Sequence, residues 1–128
     1  VVKESREMRV NDLKPFVGAK DFHQSLAFYQ AIGFCLNFKS DDLAELELAG
    51  HRILLQNYYE KTWCENSMLF IAVESAQACF DDISAVVASE DYGDARLVPP
   101  RQQDYGALVT FVWDPSGVLL HFAEVTSA

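Results

Sequence analysis

The side chains best suited to chemistry fall in a few places. Histidine occurs three times, at His23, His51 and His121, on what the surrounding pattern makes a helix, a turn and a strand. That scatter gives no ligand set for a metal ion by spacing alone. Two carboxylate pairs are more pointed. Asp41-Asp42 are neighbours at a turn, and read either as solvated turn residues or as lining for a cationic cleft. Glu45 and Glu47 lie two apart in a strand, so they share one face. If that face is concave, two carboxylates in a low dielectric hold a cation and have raised pKa values; if it is convex, they are ordinary solvated groups. Tyr58, Tyr59, Trp63, Tyr92 and Tyr105 fall in or beside loops. There they either pack at loop bases and interfaces or stack on a planar or cationic ligand. Trp113 shares strand parity with Val109 and Phe111, which suits core and cleft alike.

The three cysteines are odd in number and form no CxxC pair or metal-like spacing. Cys35 and Cys79 read as small buried apolar residues, whereas Cys64, beside Trp63 in a loop, reads as exposed. No neighbouring base marks any of them as a nucleophile. With no long apolar run and no signal-like start, a reducing cytoplasm is expected and no membrane. A net charge of -9, with Lys and Arg scattered, opposes nucleic acids and anionic membranes and favours cationic partners.

The elements that must position these residues are legible as two similar halves. Half of the 128 residues are apolar, enough for one core without a metal or disulfide staple. A first strand is expected over 13–18, at an edge or starting at Pro15, which has no amide for a ladder. Asp21 with Gln24 gives a capping-box start for a helix whose stripe is Phe22, Leu26, Tyr29 and Ile32 or Gly33. Strands follow at 34–39, 43–48 and 52–58. The middle one alternates, with Ala44, Leu46 and Leu48 opposite Leu43, Glu45 and Glu47.

The pattern then restarts. A strand is expected at 68–73, a helix at 76–88 capped by Ser75, a short strand at 95–98, a proline-rich loop at 99–104, and strands at 108–113 and 118–122 around the Asp114-Pro115-Ser116-Gly117 turn. The fold expected is α+β: one domain over 1–128, made of two tandem βαβββ modules curled as a mixed sheet around a cleft. Module one spans about 10–58, a linker 59–66, and module two 67–124.

These segments resemble the vicinal oxygen chelate superfamily, which holds glyoxalases, extradiol dioxygenases and bleomycin-resistance proteins. The resemblance is carried by Lys20-Asp21-Phe22, the Phe28-Tyr29 to Gly33-Phe34 piece, Leu69 to Val73, and Trp113 to Glu124. The bleomycin-resistance branch is most similar, through Pro15 to Asp21, Phe38 to Ala44 and the final Leu119 to Glu124. It implies a homodimer, often with exchange of the N-terminal strand near the position of Pro15, and cationic-drug clefts at the interface. Tyr105-Gly106 then stands where the branch has a drug-stacking tryptophan, and Gln56 and Asn57 approach the cleft.

The enzymes of the superfamily hold a divalent ion. Their ligand positions correspond here to Lys14, Met68 (Ser67 in a shifted register) and His121. A lysine repels a cation and a lone histidine does not hold one, so no metal and no cofactor are expected. The preferred reading is a protein that sequesters a cationic or aromatic small molecule, such as an antibiotic, without bond chemistry. Its expected ligand-binding residues are Phe38, Asp41, Asp42, Glu45, Glu47, Gln56, Trp63, Tyr105 and His121. A metal-dependent lyase or dioxygenase with an atypical ligand set, such as His121 with Glu45 or Glu47, is the second reading. The third is a dimeric regulatory or structural protein with a vestigial cleft.

Overall fold

The structure is a computed structural model, which describes residues 8–125. In chain order the elements are β1 (Phe16–Gly18), α1 (Phe22–Ala31), β2 (Cys35–Lys39), β3 (Leu43–Leu48) and β4 (His51–Gln56). After these come α2 (Lys61–Asn66), β5 (Met68–Ala72), α3 (Ala76–Ser89), β6 (Arg96–Leu97), β7 (Arg101–Gln102), β8 (Ala107–Trp113) and β9 (Leu119–Val125). Two open sheets result, with strand orders β1-β4-β3-β2 and β5-β9-β8-β6. The two orders are the same path. In each, the first strand runs parallel to the last, and the last is antiparallel to the strand just before it in the chain.

Local chemistry accounts for most boundaries. The Asp21 carboxylate accepts from the Gln24 amide at 3.0 Å and starts α1, as the capping pattern predicts. Ser75 Oγ does the same for α3 through the Ala78 amide at 3.0 Å, and the Glu124 carboxylate accepts from the Ala76 amide at 3.0 Å. Two orphan donors of that helix are thereby satisfied. Pro15 lies just before β1 at the sheet edge, where its carbonyl still accepts from the Leu54 amide.

One cluster of buried side chains spans both sheets, from Val17 and Phe22 to Leu120 and Phe122. Ala44, Leu46 and Leu55 are fully buried, and each leucine contributes roughly 1.5–3 kcal/mol by leaving water. α1 is buried beyond its expected stripe. Ser25 and Phe28 are covered because the 114–117 turn and Tyr92 lie against that flank, with Tyr92 edge-on to Phe28 at 5.6 Å.

Several expectations change. The linker over 59–66 contains α2, begun by the Glu60 side chain accepting from the Thr62 amide. The proline-rich loop contains β7, which pairs with β8. The cysteine assignments reverse: Cys35 is exposed and Cys64 is fully buried. Cys35 is on outer strand β2 opposite Glu47, away from the core, whereas α2 presses Cys64 onto Gly18. A Cβ on Gly18 would stand 2.5 Å from the Trp63 ring and 2.8 Å from Cys64 Sγ, so the close approach requires glycine.

Candidate functional site

Each sheet turns one face to the shared core and presents much of the other outward, and the two outward faces differ in chemistry. On the first sheet, the alternation of β3 turns Ala44 and Leu46 inward and leaves Glu45 and Glu47 outward. β4 brings Arg52 opposite Glu47, and β1 brings Phe16 opposite Leu54. The register of β2 on β3 shifts between Leu36 and Phe38, which makes Asn37 the extra residue of a bulge. Its amide nitrogen donates to Glu45 Oε2 at 2.8 Å and to Glu47 Oε1 at 3.0 Å.

The rest of this face is an ion-pair network. Lys14 Nζ meets Glu45 Oε1 at 2.5 Å, and Arg52 reaches Asp12 at 2.8 Å and Glu47 at 3.2 Å. Three carboxylates therefore face two cations, leaving one negative charge over. The hydrogen bond from Lys14, then that from Asn37, holds the Glu45 carboxyl below its ordinary value. This is the opposite of the raised values expected for a bare carboxylate pair in low dielectric. Arg52 is pushed up, by Asp12 first and then Glu47.

The outward face of the second sheet is aromatic. β5 places Phe70 opposite His121, and β8 places Phe111 opposite His121 from the other side. His121 thus sits between two rings, edge-on to Phe111 at 4.9 Å and tilted to Phe70 at 6.3 Å. Its Nε2 lies 3.4 Å from Met68 Sδ, and its Nδ1 is buried without a hydrogen-bond partner among the described residues. Burial lowers its pKa, so the neutral ring is favoured. Trp113 continues the face, with the Arg96 guanidinium 4.4 Å from its ring centroid. Phe70 is 57% and Met68 63% exposed, whereas Ala107, Val109 and Ala123 at the other end of the same face are buried, with Phe111 packed against them.

The nine expected binding residues divide accordingly. Phe38, Glu45, Glu47 and Gln56 come together on the first sheet, and His121 stands on the second. Asp41 and Asp42 are exposed in the β2–β3 turn, and Tyr105 is exposed between β7 and β8. Trp63 is half-buried on α2, with its ring 6.0 Å from that of Tyr58. Sequence reasoning missed Phe70, Phe111 and Met68. Their signal was present in strand parity with His121, but Met68-Leu69-Phe70-Ile71 is a continuous apolar run that gives no alternation.

The positions that correspond to metal ligands do not fit a divalent ion. Lys14 is an ammonium committed to Glu45, Met68 offers a thioether, and His121 is flanked by rings. Among the described residues, no group of three or more His, Cys, Asp or Glu has a ligand arrangement. Among the same residues, no helix is long and apolar enough to cross a membrane.

No family model and no curated protein matches the sequence. Solved structures do. The bleomycin resistance determinant encoded on the transposon Tn5 superposes with a TM-score of 0.75 at 19% identity, over 90% of this chain and 98% of that one. The bleomycin-binding protein of the bleomycin-producing Streptomyces verticillus, solved with copper(II)-bleomycin, gives 0.75 at 19% identity over 92% and 98%. A lactoylglutathione lyase from Agrobacterium tumefaciens gives 0.66 at 12% identity over 91% and 95%. Binding proteins and a lyase share this architecture, so it leaves the activity open. The fold is that of the bleomycin-resistance and glyoxalase proteins.

Proposed function

We propose that the protein sequesters a cationic or aromatic small molecule, of the antibiotic type, without making or breaking bonds. The observation that carries this is the outward aromatic face, where Phe70, Phe111, Trp113 and His121 lie side by side. Planar rings stack there, each well-placed contact being worth about 1 kcal/mol. The net charge of -9 supplies long-range attraction for a cation. The structural likeness to proteins that bind bleomycin supports the same reading, and so does the poor metal-donor chemistry of Lys14 and Met68.

The ligand seat is complete in a homodimer that sets the charged face of one copy opposite the aromatic face of the other. Phe38, Glu45, Glu47 and Gln56 then approach from one side and His121 from the other, with Asp41, Asp42, Trp63 and Tyr105 at the margins. Exchange of β1 transfers its three-residue ladder to β4 of the partner in the register Phe16 to Leu54. A cytoplasmic site of action fits three free thiols.

A thermal-shift screen with bleomycin, aromatic cations and divalent ions tests this reading. A saturable rise in Tm with bleomycin or an aromatic cation, reduced in Phe70→Ala, is the expected result. A rise with divalent ions alone, accompanied by stoichiometric metal in the purified protein, would replace it with the lyase or dioxygenase reading.

A further inference from the structure

A second concavity lies within the single chain, where the end of the second sheet meets the loop after β1 and the α2 segment. It is a groove of about 480 Å³ walled by Lys20, Tyr59, Glu65, Asp94, Arg96 and Trp113. That volume is in the range of small-molecule sites. Its floor is the 115–117 turn, whose two amides and serine hydroxyl are already engaged. The Ser116 amide donates to Asp114, and Ser116 Oγ accepts from the Lys20 amide at 2.8 Å. The charged groups of the groove are therefore the side chains of its walls.

Those walls carry two cations and two carboxylates, and among the described residues no ion pair joins any of the four. Each cation instead rests on a ring, Lys20 5.6 Å from the Tyr59 centroid and Arg96 4.4 Å from that of Trp113. A guanidinium stacked this way keeps its N–H edge free for an anion, apart from one weak contact of Arg96 to the Asp94 carbonyl at 3.4 Å. Glu65 runs close past the turn, its Cγ 3.2 Å from where a Cβ on Gly117 would stand. The groove thus offers a paired set of opposite charges, left uncancelled, between aromatic walls.

We propose that this groove is a ligand site for a zwitterionic aromatic small molecule, such as an aromatic amino acid or a peptide-like compound. The ligand carboxylate meets Arg96 and Lys20, its ammonium meets Glu65 and Asp94, and its ring lies along Trp113. This differs from the open aromatic face, which suits cations and needs a second copy to close it. Trp113 belongs to both, but Phe70 belongs to the open face alone.

Calorimetry with three indoles that differ only in charge tests the proposal: L-tryptophan, indole-3-acetate and tryptamine. L-Tryptophan is expected to bind about tenfold more tightly than either singly charged probe. Arg96→Gln brings it down to the level of tryptamine, and Glu65→Gln to that of indole-3-acetate. Both side chains are exposed, so the fold survives, which an unchanged urea midpoint verifies. Phe70→Ala leaves tryptophan affinity unchanged, whatever it does to cationic drugs. Equal binding of tryptamine and tryptophan overturns the proposal, as does a tryptophan preference that survives Arg96→Gln or is lost in Phe70→Ala. Absence of binding by all three at about 10 mM overturns it too.

Discussion

The Tyr29 hydroxyl donates to the Asp114 carboxylate at 2.7 Å, 85 residues away in sequence and fully inside the protein. The bond ties α1 of the first half to the β8–β9 turn of the second. Asp114 spends its other oxygen on the Ser116 and Val118 amides, at 2.8 and 3.0 Å. Tyr29→Phe leaves that carboxylate short of one partner in a dry site. A loss of about 1–3 kcal/mol in urea-unfolding stability is expected, and no loss would make the bond dispensable.

Gly18 holds α2 against β1. Gly18→Ala drives a methyl into the Trp63 ring and Cys64 Sγ, both of which are packed. The expected cost is about 1–3 kcal/mol, read from denaturant unfolding, with Trp63 emission shifted toward that of exposed indole.

His121 gives the stability a pH dependence. Its folded pKa is lowered from 6.5 by burial, so the unfolded chain binds more protons than the folded one between the two values. The histidine contribution is present above about pH 6.5 and is lost as pH falls through the folded value. Asp114, raised from 3.8 by burial, acts in the other direction, its contribution being lost as pH rises through its folded value. The difference between the parent and His121→Gln isolates the histidine. Urea midpoints of the parent should fall relative to the variant from about pH 7 to about pH 5.

The charged face is expected to tune cation affinity in both directions. Glu45→Gln with Glu47→Gln should weaken a bound aromatic cation about tenfold at low salt, and less at high salt. Lys14→Gln frees Glu45 from its ammonium partner and should strengthen the same complex. Affinities unchanged by either, measured by calorimetry at low ionic strength, would remove the first sheet from the binding surface.

The outward rings predict association. Light scattering at micromolar concentration should report a dimer, and Phe70→Asp should shift it toward the monomer by placing a charge in the apolar contact. A monomeric mass for the parent would refute the paired-face seat.

The fold was largely readable because local signals agree with it. Asp21 and Ser75 cap the helices they were expected to cap, and β3 shows its two faces as strict alternation. The state of the site was less readable. Glu45 was visible as a surface carboxylate, but Lys14 reaches it from the segment before β1 and Arg52 from β4, and Asn37 reaches it only because of a bulge. No spacing rule reveals that convergence. Cys35 and Cys64 were misassigned because burial depends on which layer covers a residue, and α2 carried no apolar stripe to announce itself. The aromatic face hid in strands apolar on both sides, where period-two patterning is silent.

The two sheets follow the same strand path yet carry opposite chemistries on their outward faces. Had the half-unit been a separate small protein pairing with itself, every substitution would have appeared twice, and an acidic surface would have met its own copy. Joining two such units in one polypeptide lifts that symmetry, so one face can specialise for charge and the other for rings, and each can change without forcing a matching change in its counterpart.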